Sequence, residues 1–337
     1  MSYIAMLFPT HYTEPVPILK SAWNTLNPSK PHQKYNLICV ELGHRRCKTA
    51  LIGASSDTYN MEFTKKFLLD STGDFFGQTG FVKFTGYLKN LKKELEADKS
   101  INKIDGLALS LCCPVNSQDG RIDNSSEYFE GWESMIREKL NEEIGEEDII
   151  IVNDAVAFAL GCQDAVIIKK LKLPTLCLTL GGGIGSAFIK KGKRKAILSR
   201  SSYFVESFEV GHIHKEWSDG FYGNPHQLAG QHFFEWAGTQ TDWNRVKKKQ
   251  EFSQRIAWII NSIKNEEGKD FSSIVIGGGR SRDDFIDRNT LINGLSPKIT
   301  NLQVKSDTYL SLQGAARLWL QKFHYEEDIP ELVDGKI

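Results

Sequence analysis

Three apolar segments of strand length, each running into glycine, constrain the fold of this chain more than any other feature of its sequence. They span residues 37–43, 176–183 and 274–279. Short apolar runs bounded by turn residues are typical of buried strands. After the first two turns the chain returns in another apolar run, at residues 49–53 and 184–189. The pattern predicts an α/β protein with glycine turns at strand ends, where open α/β sheets bind ligands.

A further strand, between the first two segments, runs into an acidic turn. Residues 149–152 are apolar, Asn153 and Asp154 break the run, and residues 155–161 have the composition of a short helix with a glycine stop. Asp154 is therefore directed at the ligand-binding edge of the sheet, where its carboxylate could accept a proton. The alternative is that Asp154 only caps the helix by accepting backbone N–H bonds.

The first glycine turn is basic. Gly43 is followed by His44, Arg45 and Arg46, so that backbone N–H groups and cationic side chains are both available to an anion. We interpret this turn as a phosphate cradle. The alternative is a plain hairpin with an exposed basic turn.

The second glycine turn, at residues 181–185, allows the backbone to approach a ligand closely. It is not a dinucleotide-binding fingerprint, because the third glycine is wrongly spaced and a strand rather than a helix follows. It is not a Walker A loop either, since no Gly-Lys-Ser/Thr follows. A glycine-rich hairpin without a ligand remains the alternative.

Composition excludes several classes of partner. The 337 residues are enough for two domains. Basic and acidic residues number 42 each, which removes the electrostatic argument for a nucleic-acid or anionic-membrane partner. The N-terminus has no secretory signal, and the longest nearly uncharged run, residues 173–189, is too interrupted to span a membrane. Six scattered cysteines without a C-x-x-C pair complete the expectation of a reduced, cytoplasmic protein.

The remaining periodic segments predict elements around these turns. Leucine and phenylalanine at spacings of three and four predict a helix over residues 81–97, and helices are also expected at 132–140 and 309–320. Residues 104–115 predict a buried strand that ends in a proline turn. A helix at 18–26 lies within an N-terminal segment that shows no catalytic feature.

Polar residues of the second half suggest a binding site without a metal. Glu209 and His212 could both reach one polar ligand. Zinc at His212 and His214 is disfavoured, because no cysteine follows Cys177 and the spacing matches no recognised site. Glu235 lies among aromatic residues, which suits either a sugar hydroxyl acceptor or a helix-surface acid beside a core.

Glycine-ended strands in this order, with an Asn-Asp turn between the first two, resemble the sugar kinases of the hexokinase–actin–Hsp70 superfamily. The most similar branch is the ROK family of glucokinase-like kinases, which also includes sugar-responsive repressors. The resemblance covers residues 36–320. The matching segments are residues 40–43 with the first phosphate segment D-x-G-G-T, 109–115 with the strand ending P-G-P-V, 152–155 with the catalytic N-D-A turn, 178–185 with the second phosphate segment L-T-x-G-T-G-I-G, 209–212 with E-x-G-H, 276–279 with the adenosine segment, and 314–316 with the closing helix.

The resemblance implies ATP- and Mg²⁺-dependent phosphorylation of a hexose or N-acetylhexosamine, with Asp154 as general base. It implies that sugar hydroxyls are held by Asn153, Glu209, His212 and Glu235. The implied ATP and phosphate contacts are Glu41, Gly43, Arg45, Arg46, Gly181, Gly182, Gly183, Gly185, Gly277, Gly278 and Gly279. No structural zinc is expected, because the family's cysteine cluster is absent. Homodimers are common in the family, so a homodimer is one oligomeric state to test.

The chain departs from the family pattern at its phosphate turns. Glu41 replaces Asp, which adds a methylene where Mg²⁺ geometry is tight. His44 and Arg45 replace Gly and Thr, and Gly182 stands where Thr is usual. These changes support a second hypothesis, a catalytically weak or inactive sugar-binding sensor of the same fold. The short N-terminal segment disfavours the repressor branch, which carries a DNA-binding domain.

The implied fold is a two-domain, actin-like ATPase with a duplicated, ribonuclease H-like α/β core and an interdomain cleft. We expect residues 1–153 and 309–337 to form the N-terminal domain and residues 154–308 to form the C-terminal domain. Closure of the two domains over a sugar would exclude water from the cleft.

Overall fold

The computed structural model describes residues 33–55, 61–69, 72–116, 119–122, 129–132, 136–145, 148–162, 171–191, 203–207, 215–216, 222–265, 268–297, 299–305 and 309–324. The predicted helix at 18–26 and the predicted site residues Glu209 and His212 lie outside these described residues. Within them, the chain forms two five-stranded sheets with helices on their faces.

The first sheet contains β1 (Lys34–Leu42), β2 (Cys47–Ser55), β3 (Met61–Leu69), β4 (Gly106–Leu111) and β7 (Ile149–Asn153). Their order across the sheet is β3-β2-β1-β4-β7. β2 is antiparallel to both of its neighbours, whereas β1, β4 and β7 are parallel. The register places Leu42 beside Leu111 and Leu111 beside Asn153. The first glycine turn and the Asn-Asp turn therefore leave the same edge of this sheet.

The second sheet contains β8 (Thr175–Leu180), β9 (Ile184–Lys191), β10 (Tyr203–Ser207), β13 (Ser273–Gly277) and β14 (Asn301–Val304). It repeats the topology of the first, with the order β10-β9-β8-β13-β14. β8, β13 and β14 are parallel, and β9 is antiparallel to β8 and β10. Gly277 pairs with Thr179, so the second and third glycine turns also leave one edge. Two short hairpins complete the strands: β5 (Val115–Asn116) with β6 (Arg121–Ile122), and β11 (Lys215–Glu216) with β12 (Tyr222–Gly223).

The helices form layers on both sides of each sheet. They are α1 (Gly80–Glu96), α2 (Ile136–Ile144), α3 (Asp154–Gly161), α4 (Pro225–Ala229), α5 (Gln231–Thr239), α6 (Arg245–Asn265), α7 (Arg288–Gly294) and α8 (Leu310–Trp319), with a 3₁₀ turn at Gly73–Phe75 and a π-helical turn at Leu320–His324. Residues of α1 and α2 share an apolar cluster with the outer face of the first sheet. Residues of α4 to α7 share another with the outer face of the second sheet. Of the helices in the described residues, none is long and apolar enough to cross a membrane.

A third apolar cluster fills the space between the two sheets. It contains α3 and α8 together with residues from both sheets, such as Cys39 of β1 and Val275 of β13. Side chains alternate between the faces of a strand, so each sheet contributes its other residues to an outer cluster. The two sheets are therefore joined by one continuous core.

The central helices cross at glycine. A Cβ at Gly314 of α8 would clash with the carbonyl oxygen of Ala157, and a Cβ at Gly161 would clash with that of Leu310. The missing side chains let the two helix backbones touch. The end of α8 is fixed by Arg317, which donates to the Leu160 carbonyl at 2.6 Å.

The predicted elements are confirmed within the described residues, with shifts of a few residues at their ends. The helix expected at 132–140 begins later, as α2. Two of the elements that were not predicted are β3, an edge strand whose residues alternate between covered and exposed, and α6, the longest helix of the described chain.

Candidate functional site

The Asn-Asp turn is built by the start of α3. Asn153 is its N-cap, since the side-chain oxygen accepts from the N–H groups of Ala155 at 3.0 Å and Val156 at 3.4 Å. The side-chain nitrogen of Asn153 donates to the Cys113 carbonyl at 2.9 Å. The sequence left open whether Asp154 only caps this helix. In the structure the N-cap is Asn153. Its direct contact with a sugar stays a prediction.

Asp154 occupies the first turn of α3. One carboxylate oxygen accepts from the Ala155 N–H at 2.8 Å. Loss of hydration and the negative charge of Glu41 nevertheless raise the pKa of Asp154 to about 7, against the lowering effect of that bond and of Lys48. A carboxyl with a pKa near neutrality is present in both protonation states at physiological pH. This is the property that a general base requires.

Glu41, near the end of β1, is held from two sides. Its carboxylate accepts from the ammonium of Lys48 on β2 and from the hydroxyl of Ser311 on α8. Both members of the Glu41–Lys48 ion pair are largely covered, with side-chain exposures of 17% and 12%. The contacts fix a negative charge close enough to act on Asp154.

The first glycine turn is closed by its own backbone and by Thr72. The Gly43 N–H donates to the Arg46 carbonyl at 3.0 Å. The buried Thr72 hydroxyl donates to the carbonyls of Gly43 at 3.2 Å and His44 at 2.9 Å. Arg45 and Arg46 are exposed at the tip. The turn is thus a fixed platform that carries two guanidinium groups.

The first and second glycine turns touch each other. A Cβ built at Gly182 would lie 3.2 Å from the Cβ of His44. His44 also stacks on Phe76, with ring centroids 6.1 Å apart and planes at 28°. His44, one of the residues that depart from the family pattern in the first turn, therefore lies against Gly182, which departs from it in the second.

The second glycine turn reaches the acidic turn as well. Gly181 donates its N–H to the Gly183 carbonyl at 3.0 Å. A Cβ at Gly185 would lie 2.8 Å from the Cβ of Ala155 and 3.4 Å from a carboxylate oxygen of Asp154. Gly185 therefore allows β9 to pass directly beside the start of α3. The structure thus places Asp154 beside the second predicted phosphate turn, which itself touches the first.

The third glycine turn completes this edge. Gly278 has φ +93°, a conformation that favours glycine, and a Cβ there would clash with Leu180. A Cβ at Gly277 would clash with the ring of Phe158 on α3. The following residue, Arg280, donates its backbone N–H to the Leu180 carbonyl at 3.0 Å. The third turn is thereby bonded to the strand that carries the second.

Two residues that the sequence interpretation missed lie between these turns. The guanidinium of Arg280 donates to the side-chain oxygen of Gln231 at 2.6 Å, and the backbone N–H of Gln231 donates to the Gly182 carbonyl at 2.7 Å. Neither residue belongs to the matched motifs. A basic residue directly after a glycine-ended strand was the available signal for Arg280.

Glu235 lies on the same side as Arg280. Its carboxylate accepts from the Gln231 amide, and its other oxygen is 3.9 Å from His232. It is exposed on α5. Among the described residues no hydrogen bond or ion pair joins it to Asp154 or Asn153, so its predicted role in sugar binding stays a prediction.

The described site offers few ligands to a metal ion on its own. In the part of the chain that the structure describes, no three His, Cys, Asp or Glu residues lie close enough to hold one. Glu41 and Asp154 are the two neighbouring carboxylates. Mg²⁺ typically binds one or two carboxylates together with substrate phosphates, so Glu41 alone would be a sufficient protein ligand.

Solved structures that are similar to this chain include sugar kinases and a related regulator. The inorganic polyphosphate/ATP-glucomannokinase from Arthrobacter sp. strain KM matches with a TM-score of 0.64 at 18% identity, over 86% of this chain and 99% of that chain. A ROK family glucokinase from Streptomyces griseus, in complex with glucose and AMPPNP, matches with a TM-score of 0.59 at 16% identity, over 85% and 99%. A ROK family transcriptional regulator, a homolog of the E. coli MLC protein, matches with a TM-score of 0.58 at 14% identity, over 85% and 78%.

No protein-family model and no curated protein matches the sequence. The structural likeness covers most of this chain and confirms the predicted two-domain, actin-like ATPase fold. It also confirms, at the level of structure, the resemblance to ROK sugar kinases. At these identities the likeness defines the fold, and activity has to be argued from the site.

Proposed function

We propose that this protein is a ROK-type sugar kinase that transfers the terminal phosphate of ATP to a hydroxyl of a hexose or N-acetylhexosamine. The observation that carries the proposal is Asp154. Burial and the charge of Glu41 raise the pKa of its carboxyl to about 7, and it lies at the start of α3 beside Gly185, at the end of the second glycine turn. Sugar kinases with the same fold, such as the glucokinase crystallised with glucose and AMPPNP, support the choice of substrates.

In this proposal Asp154 acts as the general base. Its carboxylate accepts the proton of the sugar hydroxyl as that oxygen attacks the phosphorus, and the bond to the leaving diphosphate breaks. Such a base contributes about 10²- to 10⁴-fold to the rate. Asn153 holds the start of α3 in place through its cap bonds, and so fixes the direction of the Asp154 carboxylate. Positioning and charge neutralisation supply most of the remaining acceleration.

The residues present fit a nucleotide. A Cβ built at Gly279 would meet nothing within 4 Å and one at Gly181 only the Gly183 carbonyl at 4.0 Å, so open space borders the second and third glycine turns, where backbone N–H groups could bind phosphate oxygens. Glu41 is the residue that would help to hold Mg²⁺ together with the phosphates, which leaves Asp154 to the sugar hydroxyl. When bound, Mg²⁺ neutralises charge on the phosphate oxygens.

The second candidate is a sugar-binding sensor with little or no turnover. The observation that favours it is the engagement of Glu41 by both Lys48 and Ser311, which occupies the carboxylate that would contact the metal. The fold is compatible with this role, since a ROK family transcriptional regulator shares it.

The first experiment measures ADP release from Mg-ATP across a hexose panel. The panel contains glucose, mannose, fructose, N-acetylglucosamine and N-acetylmannosamine. We expect one or more sugars to stimulate release, and Asp154→Asn to lower kcat by about 10²-fold or more with little change in sugar affinity. Asp270→Asn, which removes the same charge at a side chain that is 97% exposed, is the matched control.

The outcomes separate the two candidates. Sugar-dependent release that is lost in Asp154→Asn and kept in Asp270→Asn supports the kinase. Sugar binding by calorimetry without ADP release supports the sensor. Retained turnover in Asp154→Asn would remove Asp154 from the role of base.

A further inference from the structure

Arg280 is fixed at the junction of the second and third glycine turns. Its backbone is bonded to Leu180, and the neighbouring Ser281 hydroxyl donates to the carbonyls of Gly278 at 2.9 Å and Lys305 at 2.6 Å. The side chain then runs over the face of Phe234, with the guanidinium carbon 4.2 Å from the ring centroid. The side chain thus reaches from the third glycine turn to Gln231, which is bonded to the second.

The guanidinium is only partly satisfied within the protein. One terminal nitrogen donates to Gln231, whereas the other, Nη1, is buried and has no hydrogen-bond partner among the described residues. Arg280 forms no ion pair with a carboxylate in the described part of the chain. A buried donor of a charged group without a partner is costly, so the site is incomplete as it stands.

A second guanidinium, that of Arg45, lies on the first glycine turn, whose His44 touches Gly182, the residue to which Gln231 is bonded. Burial and the positive charge of Arg45 lower the pKa of Arg280 to about 10, while Glu235 acts in the other direction. No described carboxylate pairs with Arg45 either. Two like charges held near each other across the cleft repel, and an anion between them removes the repulsion.

The position of the pair defines the anion. Arg45 lies two residues after Gly43, Arg280 directly follows Gly279, and Gln231 is bonded to Gly182, so the two arginines belong to turns that both meet the second glycine turn. Guanidinium groups bind phosphate oxygens with two parallel hydrogen bonds. The first and second phosphate segments of the family pattern do not specify such a pair of arginines.

We propose that Arg280 and Arg45, one from each sheet of the molecule, clamp the terminal phosphates of the nucleotide from opposite sides. The proposal rests on the proposed function for the identity of the nucleotide. In this clamp Nη1 of Arg280 donates to a phosphate oxygen. Gln231 accepts from the other terminal nitrogen and so fixes the orientation of the planar guanidinium group. The two arginines replace contacts that the missing threonines of the first and second turns would make.

Calorimetric titration with ATP, AMP and inorganic tripolyphosphate tests the clamp without requiring turnover. We expect Arg280→Gln and Arg45→Gln each to weaken ATP and tripolyphosphate binding by about 10- to 100-fold, and AMP binding by less than about twofold. The double variant should lose less than the product of the two single losses, because both side chains bind one ligand. Arg245→Gln, which removes an exposed positive charge of the same half of the chain, should bind all three ligands like the parent protein.

Each alternative result has a distinct meaning. Equal ATP affinity in Arg280→Gln, or equal losses for ATP and AMP, would overturn the clamp even if the protein phosphorylates sugar. Loss of ATP affinity in a protein that does not phosphorylate any sugar supports the clamp and contradicts the kinase. Sugar affinity should be unchanged in all variants. Should Arg280→Gln fail to fold, the exposed Arg45→Gln and the charge-preserving Arg280→Lys carry the same test, with Arg280→Lys expected to lose part of the ATP affinity.

Discussion

At the scale of single residues, Asp154 combines a function with an energetic cost. Its carboxyl is removed from water and placed near Glu41, and both effects raise its pKa to about 7. A carboxyl whose pKa is raised on folding binds a proton more tightly in the native state than in the unfolded chain. The protein therefore loses stability as the pH rises from the unfolded value of about 4 through the folded value.

Asp154→Asn should consequently stabilise the protein at alkaline pH. We expect a gain in the free energy of unfolding on the order of a few kcal/mol at pH 8, because the uncharged amide avoids burying the ionised form. The gain should shrink as the pH falls from 8 to 5, where the parent carboxyl becomes protonated. Denaturant unfolding at four pH values measures it, and Asp270→Asn should show no such trend. A stability difference that is independent of pH would contradict the raised pKa.

Glu41→Gln should shift the pH profile of the reaction. Removing the negative charge of Glu41 lowers the pKa of Asp154, and Lys48, left without its partner, acts in the same direction. In the parent protein kcat/KM should rise with pH around an apparent pKa of about 7, and in the variant at lower pH. The profile of the residual activity between pH 5 and 9 is the measurement. Glu62→Gln, an exposed charge on β3, serves as the control, and an unmoved midpoint in Glu41→Gln would refute the coupling.

The sequence located some of these residues and missed others for a physical reason. Asp154 and the glycine turns follow directly from apolar runs that end in turn residues, which is local information. The bond between Arg280 and Gln231 joins residues 49 positions apart, and the contact between His44 and Gly182 joins two sheets. No periodicity encodes such distances, so the tertiary structure was needed to find them.

At the scale of elements, the crossing of α3 and α8 depends on two glycines. Gly161 and Gly314 place the helix backbones in direct contact, and Arg317 adds a bond from α8 to the end of α3. The start of α3 carries Asp154, so the crossing also positions the acidic turn. The small residues in the predicted last helix were the sequence sign of this close packing.

Gly314→Ala should therefore be destabilising, although alanine favours helices. The new methyl group would clash with the Ala157 carbonyl, and we expect a loss of about 1–3 kcal/mol or more. Gly86→Ala in α1 is the matched control, because a Cβ there meets nothing within 4 Å. It should gain about 0.5–1 kcal/mol. Similar effects of the two substitutions in chemical denaturation would disprove the crossing.

Strands that form continuous apolar runs were predictable from the sequence. Elements in which charged and apolar residues are interspersed were not. β1, β4, β7, β8 and β13 are buried on both sides and appear as continuous apolar runs. β3 lies at a sheet edge, where its lysines and glutamate alternate with apolar residues. α6 begins with a lysine-rich turn that has no apolar periodicity. Its apolar residues begin only later in the helix, so the helix was not predicted.

At the scale of the whole molecule, the two sheets share a core. The cluster around α3 and α8 includes side chains of both sheets, so neither half can unfold without exposing the apolar surface of the other. The two outer clusters are separate from it and from each other. Cooperativity between the halves should therefore come from the central layer.

We expect one cooperative unfolding transition for both halves. Denaturant-dependent hydrogen exchange, followed by mass spectrometry, should give the same midpoint for peptides of β4 and β13. Leu88→Ala, in the outer cluster of the first sheet, should cost about 2–5 kcal/mol and lower both midpoints together. A variant that moves only the β4 midpoint would show that the halves unfold independently.

The contact between His44 and Gly182 restricts the order in which this sequence can change. A threonine at position 182, as in the family pattern, would push its Cβ against the Cβ of His44. Glycine at position 44, as in the family pattern, removes that Cβ and leaves position 182 more room to gain a hydroxyl. The order of the two substitutions therefore matters, with position 44 changed before position 182. Libraries aimed at raising activity should vary positions 44 and 182 together.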